Sequence, residues 1–221
     1  MKHDWRITAL LVAIFFISQL VGLHIISQYV DIEQTAATGK TVVNAQNYVV
    51  APPEVENENW SWIPIVLAVL IGTGLVLLIA KFRLFAFWKI WFFLSVLIAL
   101  FHAFSPYVFE FFQKVYPISY TSSFIVTLVF AAYVGWLKMA SNDIFVHNLS
   151  EIFIYGGIAA LFVPWLNVTA AIILLIFIAL YDAYAVYKSK HMIDLATFQA
   201  EARLFAGLFI PKTTQAMSKP V

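Results

Sequence analysis

Apolar residues in this chain fall into long runs interrupted by short polar or charged segments. The first run extends from Ile7 to about Tyr29. Others cover Ile63 to Ala80, about Leu84 to Phe104, about Ile118 to Leu137, Ile152 to Leu166, and Val168 to about Tyr187. At 1.5 Å of rise per residue, about 20 helical residues cross the roughly 30 Å hydrocarbon core of a bilayer. The run Ile152 to Leu166 is short by that measure, and only the tight turn Pro164-Trp165-Leu166-Asn167-Val168 separates it from the next. Backbone groups in lipid need internal hydrogen bonds, so each span must be a helix. No succession of short alternating strands suggests a barrel. The expected fold is all-α, a polytopic transmembrane bundle of about six helices.

The charges between the runs orient this bundle. Lys2, Arg6, Lys81, Arg83, Lys89, Lys138, Lys188 and Lys190 fall on one side, and Lys40 and Lys114 on the other. Because positive charge accumulates in cytoplasmic segments, both termini are expected in the cytoplasm. The outer loop, residues 31–62, carries Asp31, Glu33, Glu54, Glu56 and Glu58, and places Trp60 and Trp62 in an interfacial aromatic belt. The charged start, Met1 to Arg6, precedes an apolar run with no small-residue cleavage site after it, so the first span reads as a retained helix, not a signal peptide. Residues 1–192 form the bundle, and residues 193–221 a cytoplasmic linker or tail. In the tail, Leu204 to Ile210 is apolar but too short to cross, and Pro211 to Val221 is polar and expected to be disordered.

Composition agrees. The chain is 62% hydrophobic and 11% charged, against about 45–50% and about 25% for an average soluble domain. With 21 Phe, 10 Tyr and 7 Trp in 221 residues, one soluble core could not hide the apolar surface. A formal net charge of +1 offers no basic field for nucleic acid. The lack of cysteine excludes disulfides, thiolate metal sites and a Cys nucleophile.

An ionisable group inside a membrane span is costly and is a functional hypothesis by default. Asp182 is the carboxylate that lies unambiguously within an apolar helix, in Leu174-Leu175-Ile176-Phe177-Ile178-Ala179-Leu180-Tyr181-Asp182-Ala183-Tyr184. Lys188, about 9 Å further along the axis, marks the interface, so Asp182 sits below the headgroups within reach of a water-filled cavity. A packing or capping carboxylate is the plainer alternative. Other candidates are weaker. His24 and His102 suit interfacial or helix-pairing roles better than metal binding, and His147 and His191 read as cytoplasmic and unpaired. Gln19 is explained by an interhelical hydrogen bond, and Gly72-x-Gly74 and Gly156-Gly157 by close helix packing. Asn59-Trp60-Ser61 and Asn167-Val168-Thr169 match a glycosylation pattern by chance. No cofactor or metal is expected.

Tyr181-Asp182 near the end of a sixth span, continued by Ala183-Tyr184-Ala185-Val186-Tyr187-Lys188-Ser189-Lys190-His191-Met192, resembles the presenilin and signal peptide peptidase family of intramembrane aspartyl proteases, most closely its microbial members. The resemblance extends more weakly back to about Asn142 and forward to Ile210-Pro211-Lys212. It implies that Asp182 is one of two catalytic aspartates, and that the substrates are single transmembrane helices cut within the bilayer. Tyr181 would line the substrate cleft beside the carboxylate, although an aromatic of the interfacial belt fits that position equally well. Tyr184 and Tyr187 read as belt residues. The family's other motifs, Gly-x-Gly-Asp and Pro-Ala-Leu, do not occur in these 221 residues, and Gly72-Thr73-Gly74 is followed by Leu75. The resemblance therefore implies the N-terminal part of such a protease.

Aspartyl hydrolysis needs two carboxyl groups sharing a proton, one ionised to activate water and one protonated to polarise the scissile carbonyl. Asp182 by itself cannot fill both roles. Glu110 lies at the outer side, and Asp143 and Glu151, in the turn between spans four and five, read as solvated interface residues. The expectation is a chain that is silent by itself, active with a partner or C-terminal half that carries the second aspartate. Two other readings stay open: a non-catalytic membrane subunit or pseudoenzyme that binds helices, and a small transporter in which Asp182 relays protons.

Overall fold

A computed structural model describes residues 5–44, 48, 60–116, 118–141 and 143–208. Glu54, Glu56, Glu58, Asn59 and the tail from residue 209 lie outside them. The described residues form eight α-helices: α1 (Trp5–Tyr29), α2 (Ile32–Thr38), α3 (Trp62–Lys81), α4 (Phe85–Val115), α5 (Tyr120–Ala140), α6 (Ile144–Phe162), α7 (Val168–Tyr184) and α8 (His191–Ala202). A 3-10 turn at Val163–Trp165 joins α6 to α7, and a π-helical turn at Ala185–Ser189 joins α7 to α8. Among the described residues, six helices are long and apolar enough to cross a membrane: Ile7–Tyr29, Trp62–Lys81, Phe85–Val115, Tyr120–Ala140, Ile144–Trp165 and Val168–Ser189. Large apolar side chains such as Leu20, Ile71, Ile90 and Leu175 stand on the outer surface of this bundle, where lipid accepts them. The fold is that of an integral multi-pass membrane protein.

Helix α4 is central, packed against α5 on one side and α6 on the other, while α1 closes on α6. Without a hydrophobic drive between helices in lipid, close approach depends on small residues. Ala99, Ala103, Ala131 and Ala160 are fully buried at these crossings. A Cβ added to Gly157 would collide with the backbone carbonyl of Ala99, and one added to Gly156 with Ile25. The expectation for Gly156-Gly157 holds. For Gly72 and Gly74 it does not, because no atom of a neighbouring helix comes within 4 Å of where their Cβ would be. Gln19 likewise faces outward and bonds to no described residue, so the expected interhelical bond is not made.

Two helices exceed the spans expected from hydropathy. Helix α4 continues through Pro106 to Val115, although an interior proline removes one hydrogen bond and orphans the carbonyl four residues back. That carbonyl, His102 O, accepts a 2.6 Å hydrogen bond from the Tyr29 hydroxyl of α1, which also bonds Ser105 Oγ at 2.8 Å. The same repair recurs on α6. Pro164 has no N–H for the carbonyl of Ala160, and the Tyr48 hydroxyl donates to it at 2.9 Å. The two tyrosine rings touch, with centroids 4.7 Å apart. Burial pushes the Tyr48 phenol above the ordinary tyrosine range, so it stays a donor. Two prolines that would leave bare carbonyls in lipid are thus accommodated by one tyrosine pair, which closes this end of the bundle.

Helix α6 begins at Ile144, well before the expected Ile152. Asp143 is its N-cap, with Oδ1 accepting from the backbone N–H of Phe145 at 2.7 Å and of Val146 at 3.4 Å. Its first two turns carry His147, Asn148, Ser150 and Glu151, which hide the helix from a hydropathy reading. Asn167 caps α7 in the same way, accepting from Ala170 N at 2.7 Å.

Candidate functional site

The lysine-rich end of the bundle gathers the polar chemistry. It is formed by the end of α5, the start of α6, the end of α7 and helix α8. Asp182 occupies the last turn of α7 on a face that no described element covers. Leu175, Ala179, Asp182 and Val186 repeat at helical spacing along that face, and all four are exposed. No described residue bonds the Asp182 side chain. The fully buried residues of α7 are Ala170 and Leu174, both in its first half, where the helix packs on Ile65 and Val66 of α3. In the half that carries Asp182, Phe177 and Ile178 pack partly against the same cluster, and the Asp182 face itself stays exposed.

Tyr181 is half-buried, and its hydroxyl lies 3.1 Å from His191 Nε2. His191 Nδ1 bonds Ser189 Oγ at 2.5 Å. His191, expected to be unpaired, is therefore tied on both ring nitrogens, and it links α8 to the residue before Asp182.

Glu151 corrects the sequence reading most sharply. It is not a solvated interface residue. Its side chain is 2% exposed, as is that of Lys138, and the two form an ion pair at 2.5 Å. Lys138 Nζ also lies 3.3 Å from His147 Nδ1, and its charge sits 5.9 Å from the centre of the Phe92 ring. His147, also expected to be unpaired, reaches Gly207 O through Nε2 at 2.9 Å, and the Gly207 N–H donates to Glu151 Oε1 at 3.1 Å. With Lys138 donating to Nδ1, both contacts are satisfied by the tautomer protonated on Nε2. The available signal was positional: opposite charges closing one apolar run and opening the next, on helices joined by a short turn.

The other two acids weighed against Asp182 are also committed. The Asp143 carboxylate caps α6, and Glu110 pairs with Lys114 on the surface toward the far end of α4. None of these carboxylates is free to complete a dyad with Asp182. Among the described residues, no three His, Asp or Glu side chains converge as a metal-ligand set.

Six helices long and apolar enough to cross a membrane, with a carboxylate on the open face of the last, define the class: an integral multi-pass membrane protein. The chain belongs to the signal-peptide peptidase, presenilin aspartyl protease family, whose model matches residues 12–218. Comparison with curated proteins and with solved structures gives no match.

Proposed function

We propose that this chain supplies one half of an intramembrane aspartyl dyad, with Asp182 as one catalytic aspartate and the second carboxylate contributed from outside these 221 residues. The observation that carries the reading is Asp182 itself, unbonded within an apolar span and on an uncovered helix face. A carboxylate in that position is expensive against lipid. A second carboxyl group packed on this face would turn the expense into function. Close like charges push the two titrations apart, leaving one acid ionised to activate water and the other protonated to polarise the peptide carbonyl. The substrates are single transmembrane helices, and Tyr181, directed by His191, borders the cleft they enter.

The lysine-rich end faces the cytoplasm, in keeping with the distribution of Lys and Arg. Residues 1–192 are the bundle, and residues 193–221 are the connector leading toward the second carboxylate. A helix-binding subunit without catalysis is the reading favoured if no second carboxylate ever meets Asp182, since these residues contain neither Gly-x-Gly-Asp nor Pro-Ala-Leu.

The deciding experiment reconstitutes the chain in lipid with and without a polypeptide bearing a Gly-x-Gly-Asp helix, and measures cleavage of a labelled transmembrane peptide. Activity is expected only in the mixture, and Asp182→Asn should abolish it. Cleavage by the chain without its complement, lost in Asp182→Asn, would overturn the need for a partner. An active mixture indifferent to Asp182→Asn would overturn the site.

A further inference from the structure

Behind Asp182 the chain takes an unusual path back into the bundle. The π-helical turn leads to Lys190, whose φ of 59° reverses the chain into α8. Phe198, Ala202 and Leu204 then enter the main core, where the Phe198 ring stacks on Phe85 at 5.0 Å and lies 6.0 Å from Trp88. Arg203 and Gly207 turn the backbone again with φ of 55° and 139°. At Gly207 the path ends on the buried cluster, with the N–H on Glu151 and the carbonyl on His147. Two side chains of one helix, a turn apart, thus hold both polar groups of a single residue.

We propose that Lys138, Glu151 and His147 form a positioning clamp that grips the Gly207 backbone and so holds the Asp182-bearing half of α7 in place. The function assigned to the clamp rests on the proposed catalytic role of Asp182. Three features converge on it. The second half of α7 is held in the bundle only by partly buried side chains such as Phe177 and Ile178, so its position also depends on the anchorage of α8 and the connector. Lys138 pairs with Glu151 and aims it while occupying Nδ1 of His147, which orients that ring's other nitrogen toward Gly207. Residue 207 must also be small and left-turning: a Cβ there would lie 3.2 Å from the Phe205 ring, at a φ that L side chains rarely adopt. The cluster is therefore more than a buried ion pair between α5 and α6. Glu151 and His147 also bond the connector at Gly207.

The chain has no cysteine, so single thiols report without background. Leu204→Cys places a thiol at a buried connector position, to be reacted with a water-soluble maleimide in the full chain in detergent. Gly207→Ala should release the connector and raise the labelling rate at least about tenfold, as expected for opening a local unit, while leaving the Lys138–Glu151 pair and the helix content intact. Glu151→Ala should do the same from the other side. Because it could also unfold the bundle, Gly207→Ala decides the matter. In parallel, nitroxides at Leu180→Cys and Ile98→Cys, both at exposed positions, report the distance between α7 and α4. That distribution should broaden in Gly207→Ala. An unchanged labelling rate, or an unchanged distance distribution, overturns the clamp. In the complemented protease, Gly207→Ala should lower kcat more than it raises KM. Release and broadening without any Asp182-dependent cleavage would leave the clamp standing and remove the protease reading. Cleavage with neither release nor broadening would do the reverse.

Discussion

Two carboxylates at one end of this bundle have opposite circumstances. Glu151 is 2% exposed, paired with Lys138 and bonded to Gly207. Asp182 is exposed on an apolar helix and bonded to no described residue. The chain meets every demand of the first and none of the second. A buried acid with its partners in place is structural, since removing any one of them strands the others. An acid left without partners on an apolar helix loses no bond within the fold when it is neutralised, and under the proposed function it is the acid left for an incoming partner. Completeness of bonding separates the two, where depth in the span does not.

The largest effect expected from that difference is functional. Asp182→Asn should lower cleavage by the complemented protein by at least about a thousandfold, the scale of losing a proton-transferring group in its entirety. The same substitution should change unfolding stability by no more than about 0.5 kcal/mol, as for a surface position. A clear loss of stability would show that Asp182 already has partners and would erase the contrast with Glu151.

Stability should behave in the opposite way at the buried pair. Glu151→Leu or Lys138→Met, each made singly, leaves an uncompensated charge inside the bundle and should cost about 3–5 kcal/mol. The double substitution removes both charges and should recover most of that loss. Denaturant titration in mild detergent measures all three. If the double variant is as unstable as the singles, packing or the lost Gly207 contact matters more than the charge.

The sequence made the spans legible because lipid imposes a simple rule on hydropathy and length. It made Asp182 legible for the same reason, as an acid out of place in an apolar run. What it hid were groups whose acceptability depends on a distant partner. The start of α6 looked like loop because His147, Asn148, Ser150 and Glu151 lower its hydropathy, and nothing local says that Lys138 cancels Glu151. The third span was expected to end at about Phe104, yet its helix continues through Pro106 because the repair is made by Tyr29, far away in sequence. Gly72 and Gly156 are chemically alike, yet only the second meets a neighbouring helix closely. Local pattern tells where a helix can be, and pairing tells which polar groups it can carry.

A test of intermediate size probes the scaffold that holds the two acids apart. Gly157→Val would drive its side chain into the Ala99 backbone, where neither helix can yield by moving a flexible group. Overpacking of this kind should cost about 1–3 kcal/mol and shift α6 against α4. Gly74→Val, on the open face of α3, should be nearly silent in the same measurement. Equal effects at the two positions would mean that the tight crossing does not exist.

The smallest effect should come from Tyr29→Phe, and it is informative because it is specific. The substitution keeps the ring and its contact with Tyr48 but removes the donor to His102 O, the carbonyl orphaned by Pro106. An unsatisfied buried acceptor should cost about 1–3 kcal/mol, toward the low end here because Ser105, which donates to the same tyrosine oxygen, can turn its hydroxyl elsewhere. Replacing Pro106 by Ala supplies an N–H four residues after His102 and makes the tyrosine hydroxyl redundant. In the Pro106→Ala background, Tyr29→Phe should therefore be close to neutral. That coupling between a proline and a tyrosine on different helices distinguishes hydrogen-bond repair from ordinary packing, which would make the two effects add. Additivity would show that α4 tolerates its proline by some other means, and that the end of the bundle around Tyr29 does not owe its stability to the satisfaction of polar groups that sets Glu151 apart from Asp182.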